Sequence, residues 1–461
     1  MMRSFWMTEA LEKDPGAEAP PLDGDLKCDV CIVGGGYTGL WTALELKERE
    51  PSLEVVVIEA DICGAGGSGA NLGVAVTRWI QFPLLRELCG LDEARRLCQA
   101  SAGLVADIGA RAAAHGTDIG YRADGVIWGA TCEAQNGYWD GIIDELEKQQ
   151  ARPFVRLTHD EIAERTGSTA FVAGVFDAGA AMMQPALLTR FLRTLALERG
   201  VRICEKTPMT RLLRARPPGV VTPRGTITAG KVILAIYAWS LRVPELRGAA
   251  MVIGTDAVAT EPMPEKLAAA GRAGGPGLID SRIFVSGSVP TPDGRIMWSK
   301  AGGTLPYGGR IDGSYDRPKH SLNEMRDVIR QIHPSLADAP VAGTWTGPIE
   351  RSKTGLPLFG SLSTCPDILY GYGYSGSGLV TSRYGASILS SLALGHDDEW
   401  ANSGLVRRPK RGFPPEPIRY IGGHMVRAAI GRKDRLDHEG RKAGLITRAL
   451  VAFKPSSYKP S

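Results

Sequence analysis

The spacing of hydrophobic and polar residues over positions 28–73 predicts two strands joined by a helix. A short apolar run, Cys28 to Val33, has the length and composition of a buried strand. Helical spacing follows, with three apolar residues and the apolar stem of a lysine at i, i+3, i+4 and i+7. These positions are Leu40, Ala43, Leu44 and Lys47. A second apolar run, from Glu54 to Ile58, completes a βαβ unit.

Similar patterns predict alternating elements through the rest of the chain. Helices are expected at residues 84–114, 141–150, 185–200, 321–333 and 378–395. Strands are expected at residues 122–130, 201–204 and 231–235. Residues 250–320 carry strand-like pieces around the turn Pro292-Asp293-Gly294, which predicts an antiparallel sheet able to roof a ligand. Residues 345–360 show no regular spacing, so we expect a buried irregular loop there.

Between the first strand and the first helix lie Gly34, Gly36 and Gly39, in G-x-G-x-x-G spacing. Bare backbone at these positions permits a sharp turn and a close approach to a pyrophosphate, which binds at the helix N-terminus. Glu59 follows twenty residues after Gly39, where a carboxylate accepts hydrogen bonds from a ribose diol. The motif alone is weak in a chain with 57 glycines. The flanking strand and helix favour a nucleotide site over an ordinary strand-turn-helix.

Composition is that of a globular protein with a large buried core. The chain has 461 residues, of which 43% are hydrophobic and 23% charged, and this length suggests two or three domains. No window of about twenty residues is continuously apolar, and the N-terminus has no signal-peptide pattern. We therefore expect a cytoplasmic protein without a membrane span.

The cysteines and histidines indicate neither a disulfide framework nor a metal site. Eight cysteines are scattered along the chain, and the Cys28-x-x-Cys31 pair lies on the predicted first strand rather than at a helix N-terminus. Core packing is favoured over redox chemistry there. We expect no metal.

Charge is distributed unevenly along the chain. The net charge is +4, but residues 405–461 contain 14 Lys and Arg against 4 Asp and Glu. This basic tail, with helical stretches at 425–436 and 445–453, is a candidate for peripheral membrane contact, self-association or contact with a quinone-reducing partner. The favoured alternative is a pair of helices docked on the acidic body. Nothing in the charge pattern of the body indicates nucleic-acid binding.

Three features favour FAD over NAD as the bound dinucleotide. Only one convincing strand-glycine-helix unit is present, so there is no second dinucleotide domain to deliver electrons from NAD(P)H. The glycine-rich loop of residues 64–73 offers further backbone N–H donors, and the glycine-rich turn at 373–378 precedes another helix N-terminus. Such positive dipole ends stabilise the negative charge of a reduced flavin.

At these residues the chain resembles the FAD-dependent amine and amino-acid oxidoreductases of the D-amino-acid oxidase superfamily. The resemblance covers roughly residues 26–398 and is closest to the branch that includes gamma-glutamylputrescine oxidoreductase. The family's GASGRNGG segment is similar to residues 67–73, with Ala70 and Leu72 in place of Arg and Gly. Its D-x-G-G-x-x-x-P element is similar to Asp177, Gly179 and Pro185. Its GYSGHG turn is similar to residues 374–378, with Ser377 in place of His.

The resemblance implies noncovalent FAD, because neither flavin-loop motif contains the His or Cys that relatives use for covalent attachment. The residues expected to contact the cofactor are Gly34, Gly36, Tyr37, Thr38, Gly39, Glu59, Ala60, Gly67, Ser68, Asn71, Leu72, Gly73, Met209, Ala235, Trp239, Gly373, Ser375, Gly376, Ser377 and Gly378.

The resemblance also bears on the substrate. Amino-acid oxidising members carry an Arg two residues after the Gly of W-x-G, where it grips the α-carboxylate. Here that residue is Ile349, which favours amines lacking this carboxylate. Glu350 is a candidate to attract an ammonium group, Lys300 to favour oxygen reduction, and Tyr374 to wall the substrate pocket. The simpler alternatives are a solvated Glu350, an exposed Lys300 and a Tyr374 that packs a strand end.

We expect a mixed α/β (α+β) fold with a Rossmann-type FAD-binding domain interleaved with an antiparallel-sheet substrate domain. The predicted division is a leader at 1–25, an FAD-binding domain at 26–95, 160–240 and 340–400, a substrate domain at 96–159 and 241–339, and a basic helical extension at 401–461.

The resemblance implies oxidation of a primary or secondary amine at its C–N bond. A hydride equivalent leaves the carbon next to a neutral nitrogen, and water hydrolyses the resulting imine to an aldehyde and an amine or ammonia. Oxygen or a quinone accepts the electrons. Two alternatives remain open at this point, an oxidase or dehydrogenase of sarcosine or a D-amino acid, and a non-catalytic electron-transfer subunit.

Overall fold

The computed structural model describes residues 3–17, 19–313, 315 and 318–455, with only the backbone of residues 318–321. The ends of the predicted leader and tail, residues 1–2 and 456–461, lie outside the described residues.

Two large sheets dominate the described structure. The first sheet has the strand order β17-β18-β11-β1-β2-β8, and β10 and β9 continue from β11. Its strands are β1 (Leu26–Val33), β2 (Val55–Ile58), β8 (Arg202–Cys204), β9 (Arg211–Leu213), β10 (Gly219–Thr222), β11 (Gly225–Leu234), β17 (Leu358–Leu362) and β18 (Cys365–Tyr372). The central strands β8, β2, β1, β11 and β18 are all parallel to their neighbours in this order. The predicted βαβ unit forms the middle of this sheet.

The second sheet has the order β16-β12-β15-β14-β13-β4-β6-β5 and is antiparallel except where β13 meets β4. Its strands are β4 (Val126–Ala130), β5 (Phe154–Thr158), β6 (Ala173–Asp177), β12 (Ala250–Thr260), β13 (Gly277–Asp280), β14 (Ser286–Pro290), β15 (Ile296–Ala301) and β16 (Val341–Ser352). A small third sheet pairs β3 (Val74–Ala75) with β7 (Ala181–Met182). Strands of the two large sheets alternate along the chain.

Helices cover the faces of both large sheets. The α-helices are α1 (Phe5–Lys13), α2 (Tyr37–Arg49), α3 (Phe82–Cys89), α4 (Leu91–Ala114), α5 (Asp140–Lys148), α6 (His159–Thr166), α7 (Pro185–Glu198), α8 (Pro264–Ala269), α9 (Pro318–Ile332), α10 (Gly378–Leu394), α11 (Ile418–His438) and α12 (Leu445–Val451). Short 3-10 helices span Gly67–Gly69, Trp79–Gln81, Glu133–Gln135, Tyr237–Arg242, Tyr307–Gly309 and Pro334–Leu336.

The core follows the sequence pattern. Helices α2, α4, α7 and α10 bury apolar residues against one face of the first sheet. A separate cluster fills the other face of that sheet, and a third lies between the second sheet and α9. Helix α1 contributes Trp6 and Met7 to a further cluster with Trp345 of β16, so the predicted leader is packed on the body. The predicted mixed α/β class is confirmed.

Two expected elements differ in the structure. The single helix expected at 84–114 is two helices, because Gly90 adopts φ +88° between α3 and α4. The irregular loop expected from Trp345 to Gly360 is wrong. Strand β16 continues to Ser352, and β17 begins at Leu358. Strand β16 is an edge strand, where Pro348 is tolerated although it has no N–H to donate.

The predicted domain boundaries remain a prediction, and strand pairing departs from them at two places. Strand β6 falls in the range assigned to the FAD-binding domain but pairs with β4 and β5 of the second sheet. Strand β16 also falls in that range and pairs with β12 of the second sheet.

Candidate active site

The turn between β1 and α2 requires three bare glycine positions. Gly34 has φ +112°, and a Cβ on it would lie 2.4 Å from the carbonyl oxygen of Ala235. A Cβ on Gly39 would lie 1.9 Å from the carbonyl oxygen of Gly34, and one on Gly36 would lie 2.8 Å from Ser68 Oγ. The absence of side chains here leaves room for a tight strand-to-helix turn and for a ligand group close to the backbone.

The loop after β2 is tied to the start of α2 by its own side chains. Ser68 Oγ accepts a hydrogen bond from Tyr37 N at 3.0 Å. Asn71 Nδ2 donates to the Ser68 carbonyl at 2.7 Å, and Asn71 Oδ1 accepts from Gly73 N at 2.8 Å. Ser68 and Asn71 therefore hold the loop closed over the first turn of α2.

Glu59 follows the second parallel strand. Its carboxylate accepts hydrogen bonds from Gly35 N at 2.8 Å and from Asp61 N at 3.0 Å. Burial raises the pKa of Glu59, and these backbone N–H groups oppose that rise. Each carboxylate oxygen retains acceptor capacity. Because Glu59 lines the cavity described below, it can also accept from a diol.

A cavity of about 930 Å³ runs from this turn to the second sheet. That volume lies at the upper end of the range of ligand sites, about 300 to 1,000 Å³. Seventeen of the residues expected to contact the cofactor line it. They are Gly34, Gly36, Tyr37, Thr38, Glu59, Ala60, Gly67, Ser68, Asn71, Leu72, Met209, Ala235, Trp239, Ser375, Gly376, Ser377 and Gly378.

Two helix N-termini meet at this cavity. Helix α2 starts after Gly36 and helix α10 after Ser377; neither N-cap side chain makes a capping bond, and neither first turn carries an acid. Free N–H groups and the positive end of each dipole favour anionic groups. A long ligand with a pyrophosphate near the N-terminus of α2 and a ring that gains negative charge on reduction near the N-terminus of α10 fits this arrangement.

Three of the expected cofactor residues do not line the cavity. Instead, each permits a backbone conformation or a close approach that a side chain would prevent. Gly39 permits the close approach of α2 to the turn. Gly73, with φ +80°, would place a Cβ 2.0 Å from the Met183 carbonyl oxygen. Gly373, with φ +84°, would place one 2.9 Å from Ser352 Cβ. These glycines shape the loops that carry the lining residues.

Glu350 lies beneath the cavity and does not line it. The side chain is fully buried; its Oε1 accepts from Gly373 N at 2.7 Å and its Oε2 accepts from Ser240 Oγ at 2.9 Å. Burial raises its pKa to about 7. Side chains alternate along β16, so Ile349 and Arg351 face the cavity while Glu350 faces away. The predicted contact of Glu350 with a substrate ammonium is therefore wrong.

Lys300 also points away from the cavity. Its strand neighbours Ser299 and Ala301 line the cavity, which places Lys300 on the opposite face of β15. Its Nζ donates to Glu324 Oε2 at 3.3 Å, and it lies 5.9 Å from the centre of the Phe284 ring. The predicted role of Lys300 beside the flavin is therefore wrong, and its partner is a surface carboxylate on α9.

Tyr374 lines the cavity, and its hydroxyl group is occupied by a protein partner. Its OH accepts a hydrogen bond from Thr38 Oγ1 at 2.8 Å. Its ring makes edge contacts with Tyr237 and Phe359. Burial raises its pKa, so the hydroxyl stays protonated. The structure supports Tyr374 as a wall and as a link between α2 and the last turn.

Two residues with a strained backbone conformation line the same cavity. Among the described residues, four non-glycine residues have positive φ, and two of them line the cavity. Ser375 has φ +54° and is held by Ser352 N, which donates to its Oγ at 3.2 Å. Tyr237 has φ +44°. Strained residues held by their surroundings are common at functional sites.

Sequence reasoning missed the residues at the second-sheet end of the cavity. The missed aromatic and charged side chains there are Trp128, Tyr138, Trp139, Asp280 and Arg351. They come from β4, a loop, β13 and β16, and only sheet pairing brings them together. A usable signal was the position of Asp280 at the last residue of its strand. Asp280 Oδ1 accepts from Ser286 N at 2.9 Å, and Arg282 lies 3.2 Å from Oδ2.

Comparison with known protein families shows to which family the chain belongs. The family model described as DAO, FAD dependent oxidoreductase, matches residues 29–392. The chain belongs to this family. It is therefore an FAD-dependent oxidoreductase of the class that acts on amines and amino acids, as the resemblance indicated.

Similar named proteins cover most of the chain. Gamma-glutamylputrescine oxidoreductase from Escherichia coli (strain K12) is 28% identical over 405 residues, which are 85% of this chain and 89% of that protein. Glycine oxidase from Pseudomonas aeruginosa is 26% identical over 80% of this chain and 95% of its own. Among solved structures, L-amino acid deaminase from Proteus vulgaris has a TM-score of 0.66 at 19% identity, over 84% of this chain and 96% of that chain. The last comparison shows the fold alone.

The lining of the cavity suits FAD held without a covalent bond. No cysteine or histidine lines it in the part of the chain that the structure describes. The eight cysteines are free thiols, and burial raises the pKa of Cys28 to about 12 and that of Cys31 well above its usual range.

The described helices include none long and apolar enough to cross a membrane.

Proposed function

We propose that this enzyme oxidises primary or secondary amines that lack a carboxylate on the reacting carbon. The observation that carries the proposal is that Ile349 lines the cavity, at the position where the family resemblance implies a carboxylate-binding Arg in amino-acid oxidising members. An aliphatic side chain gives a carboxylate neither charge nor hydrogen bonds, so an α-amino acid would lose its anchor there.

The chain's own residues bind and orient the substrate. The aromatic side chains Trp128, Tyr138 and Trp139 line the second-sheet end with apolar groups, including Leu72 and Ile349. Their faces attract a cationic amine as it enters, and their apolar surface then favours the neutral form that reacts. Holding the C–H bond in one orientation is the main demand on the protein.

Bound FAD would supply the acceptor for one hydride equivalent, that is two electrons with one proton, which leaves the carbon beside nitrogen. The organic product is an imine, which water hydrolyses to an aldehyde and an amine or ammonia. The N-termini of α2 and α10 and the N–H groups of the loop at residues 64–73 favour negative charge in the cavity. Oxygen or a quinone would reoxidise the enzyme, and a cytoplasmic location remains our expectation.

Arg351 favours a second candidate, a substrate with a carboxylate placed farther from the reacting carbon. It lines the cavity on the same face of β16 as Ile349, two residues and about 6.6 Å along the strand. The E. coli relative is named for gamma-glutamylputrescine, an amine that carries an amino-acid group at its far end. A guanidinium at Arg351 suits such a remote carboxylate. A simple α-amino acid fits this position less well, because its carboxylate is adjacent to the reacting carbon.

Anaerobic mixing of the FAD-loaded protein with a substrate panel tests the proposal. The panel contains alkylamines, diamines, γ-glutamyl-diamines and α-amino acids, and loss of the visible flavin absorbance is the readout. We expect bleaching by amines, with or without a remote carboxylate, and little by α-amino acids. Bleaching by α-amino acids alone, or by none of the panel, would overturn it.

A further inference from the structure

Helices α11 and α12 and their connection, residues 418–451, form a C-terminal helix pair beyond the family match, which ends at residue 392. We propose that this C-terminal helix pair docks the enzyme on an anionic phospholipid surface. The proposal is independent of which amine the enzyme oxidises. It rests on exposed apolar side chains, on outward-facing cations and on the inward orientation of the acids.

Exposed apolar side chains concentrate on this pair and on the residues directly after it. Among the described residues, nine large hydrophobic side chains are exposed, and six of them lie between residues 418 and 453. These are Ile418, Ile421, Met425, Leu445, Ile446 and Phe453, which are 52% to 80% exposed. The first three recur at i, i+3 and i+7, which places them on one face of α11. Such a concentration is typical of an interaction surface, since single exposed hydrophobic residues are normally scattered.

Exposed cations accompany these apolar residues along the pair. From residue 425 to 455 the exposed basic side chains are Arg432, Arg435, Arg441, Lys442 and Arg448. The one exposed acid in that span is Glu439, which pairs with Arg441 at 3.0 Å. A surface that combines apolar groups with Lys and Arg matches the interfacial region of an anionic bilayer.

The remaining acids of the pair face the body of the protein. Asp434 accepts hydrogen bonds from Ile283 N at 3.1 Å and Phe284 N at 3.3 Å. Asp437 is buried and accepts from Lys433 Nζ. An internal apolar cluster of Ala429, Ile430 and Val451 completes the attachment. The pair is thus attached through these acids and this apolar cluster, while its exposed basic and apolar side chains remain accessible to solvent.

This attachment places the helix pair beside the cavity. Ile283 lines the second-sheet end of the cavity, and its backbone N–H is held by Asp434 of α11. Arg427 Nε also donates to the Gly302 carbonyl at 2.6 Å, on the chain following β15. A bilayer bound by the pair would therefore lie near the substrate end of the enzyme.

Vesicle co-sedimentation of the full-length, FAD-loaded protein tests the proposal. The probes are phosphatidylcholine vesicles and vesicles in which part of the lipid is phosphatidylglycerol. We expect binding to the anionic vesicles only, weakening as salt screens the charges. Absence of binding to anionic vesicles at low salt would overturn the proposal.

Matched variants separate this surface from general charge and hydrophobicity. Leu445→Ser/Ile446→Ser and Arg441→Gln/Lys442→Gln should each lower the partition coefficient about tenfold or more. Leu91→Ser/Val155→Ser and Lys27→Gln/Lys148→Gln remove exposed apolar and basic groups elsewhere on the protein and should leave the partition coefficient unchanged. Equal losses in both sets would overturn the assignment. Light scattering tests whether the same surface instead joins two copies of the chain. If the wild-type protein is a dimer that does not bind vesicles, and Leu445→Ser/Ile446→Ser makes it a monomer, the surface serves self-association and lipid docking is overturned.

Discussion

The carboxylate of Glu350 accepts a hydrogen bond from the backbone N–H of Gly373 across 2.7 Å, in the interior of the protein. This contact joins β16 of the second sheet to the turn that precedes α10. The turn carries Ser375, Gly376 and Ser377 to the cavity wall. Glu350 thereby acts on the cofactor site through the backbone, without reaching the cavity.

Glu350 should give folding stability a distinctive pH dependence. Burial raises its pKa from 4.5 to about 7, so the folded protein retains a proton that the unfolded chain loses near pH 4.5. Its contribution is fully present below pH 4.5 and is lost as pH rises towards 7, by about 3 kcal/mol in total. In Glu350→Gln, the free energy of unfolding measured by chemical denaturation should differ less between pH 5 and pH 8 than in the wild type. Glu12→Gln, at an exposed site of α1, is the control, and equal slopes in wild type and Glu350→Gln would contradict the account.

Truncation at the same position should loosen the flavin. Glu350→Ala leaves the Gly373 N–H and Ser240 Oγ without their carboxylate partner, at a cost of about 1 to 3 kcal/mol. We expect Glu350→Ala to lower FAD affinity more than Glu350→Gln, measured by fluorescence titration of the apoprotein. Comparable affinities would mean that the turn is held by other contacts.

The first glycine turn should tolerate no side chain at Gly36. An alanine Cβ would lie 2.8 Å from Ser68 Oγ, forcing that oxygen away from Tyr37 N and narrowing the space over the turn. We expect Gly36→Ala to weaken FAD binding about tenfold or more. The control is Gly103→Ala in the middle of α4, where nothing lies within 4 Å of the new Cβ. It should keep FAD affinity and gain about 0.5 to 1 kcal/mol of stability.

FAD should leave the protein on denaturation. The cavity has no cysteine or histidine among its described lining residues to form a covalent bond. Acid precipitation followed by centrifugation should put the flavin in the supernatant. Yellow colour that stays with the precipitated protein and survives proteolysis would show a covalent link.

The Tyr374 hydroxyl should matter to stability more than to turnover. It is occupied by Thr38 Oγ1, so Tyr374→Phe should cost about 1 kcal/mol of unfolding free energy while leaving kcat near the wild-type value. Thr38→Val should show a similar loss, and the double variant little more, because the two changes remove one interaction. A large fall in kcat with unchanged stability would instead indicate a catalytic hydroxyl.

The βαβ unit and the cofactor loops could be predicted from sequence because their signals are local. Gly34, Gly36 and Gly39 follow one another within a strand and a helix whose periodicity is clear. The predicted contacts of Glu350 and Lys300 are wrong because the strand register decides towards which face of the sheet each side chain points. Irregular spacing hid β16, and the surroundings of both residues come from segments distant in sequence. Trp128 and Asp280 meet in the cavity only through the pairing of β4 with β13.

A substitution at Ile349 should change which substrates the enzyme prefers. Ile349→Arg should raise kcat/KM for α-amino acids and lower it for amines, because a guanidinium would then face the cavity. Ile349→Met keeps size and polarity and should keep the wild-type preference. If both variants respond alike, packing and not charge at this position controls the substrate.

The most direct test of the account is the ratio of kcat/KM for an amine and for its counterpart that carries a carboxylate on the reacting carbon. Both substrates are measured on one preparation of the wild-type, FAD-loaded protein. We expect the amine to be favoured by about tenfold or more, since Ile349 offers the carboxylate no partner. A preference for the carboxylated substrate would contradict the proposed function.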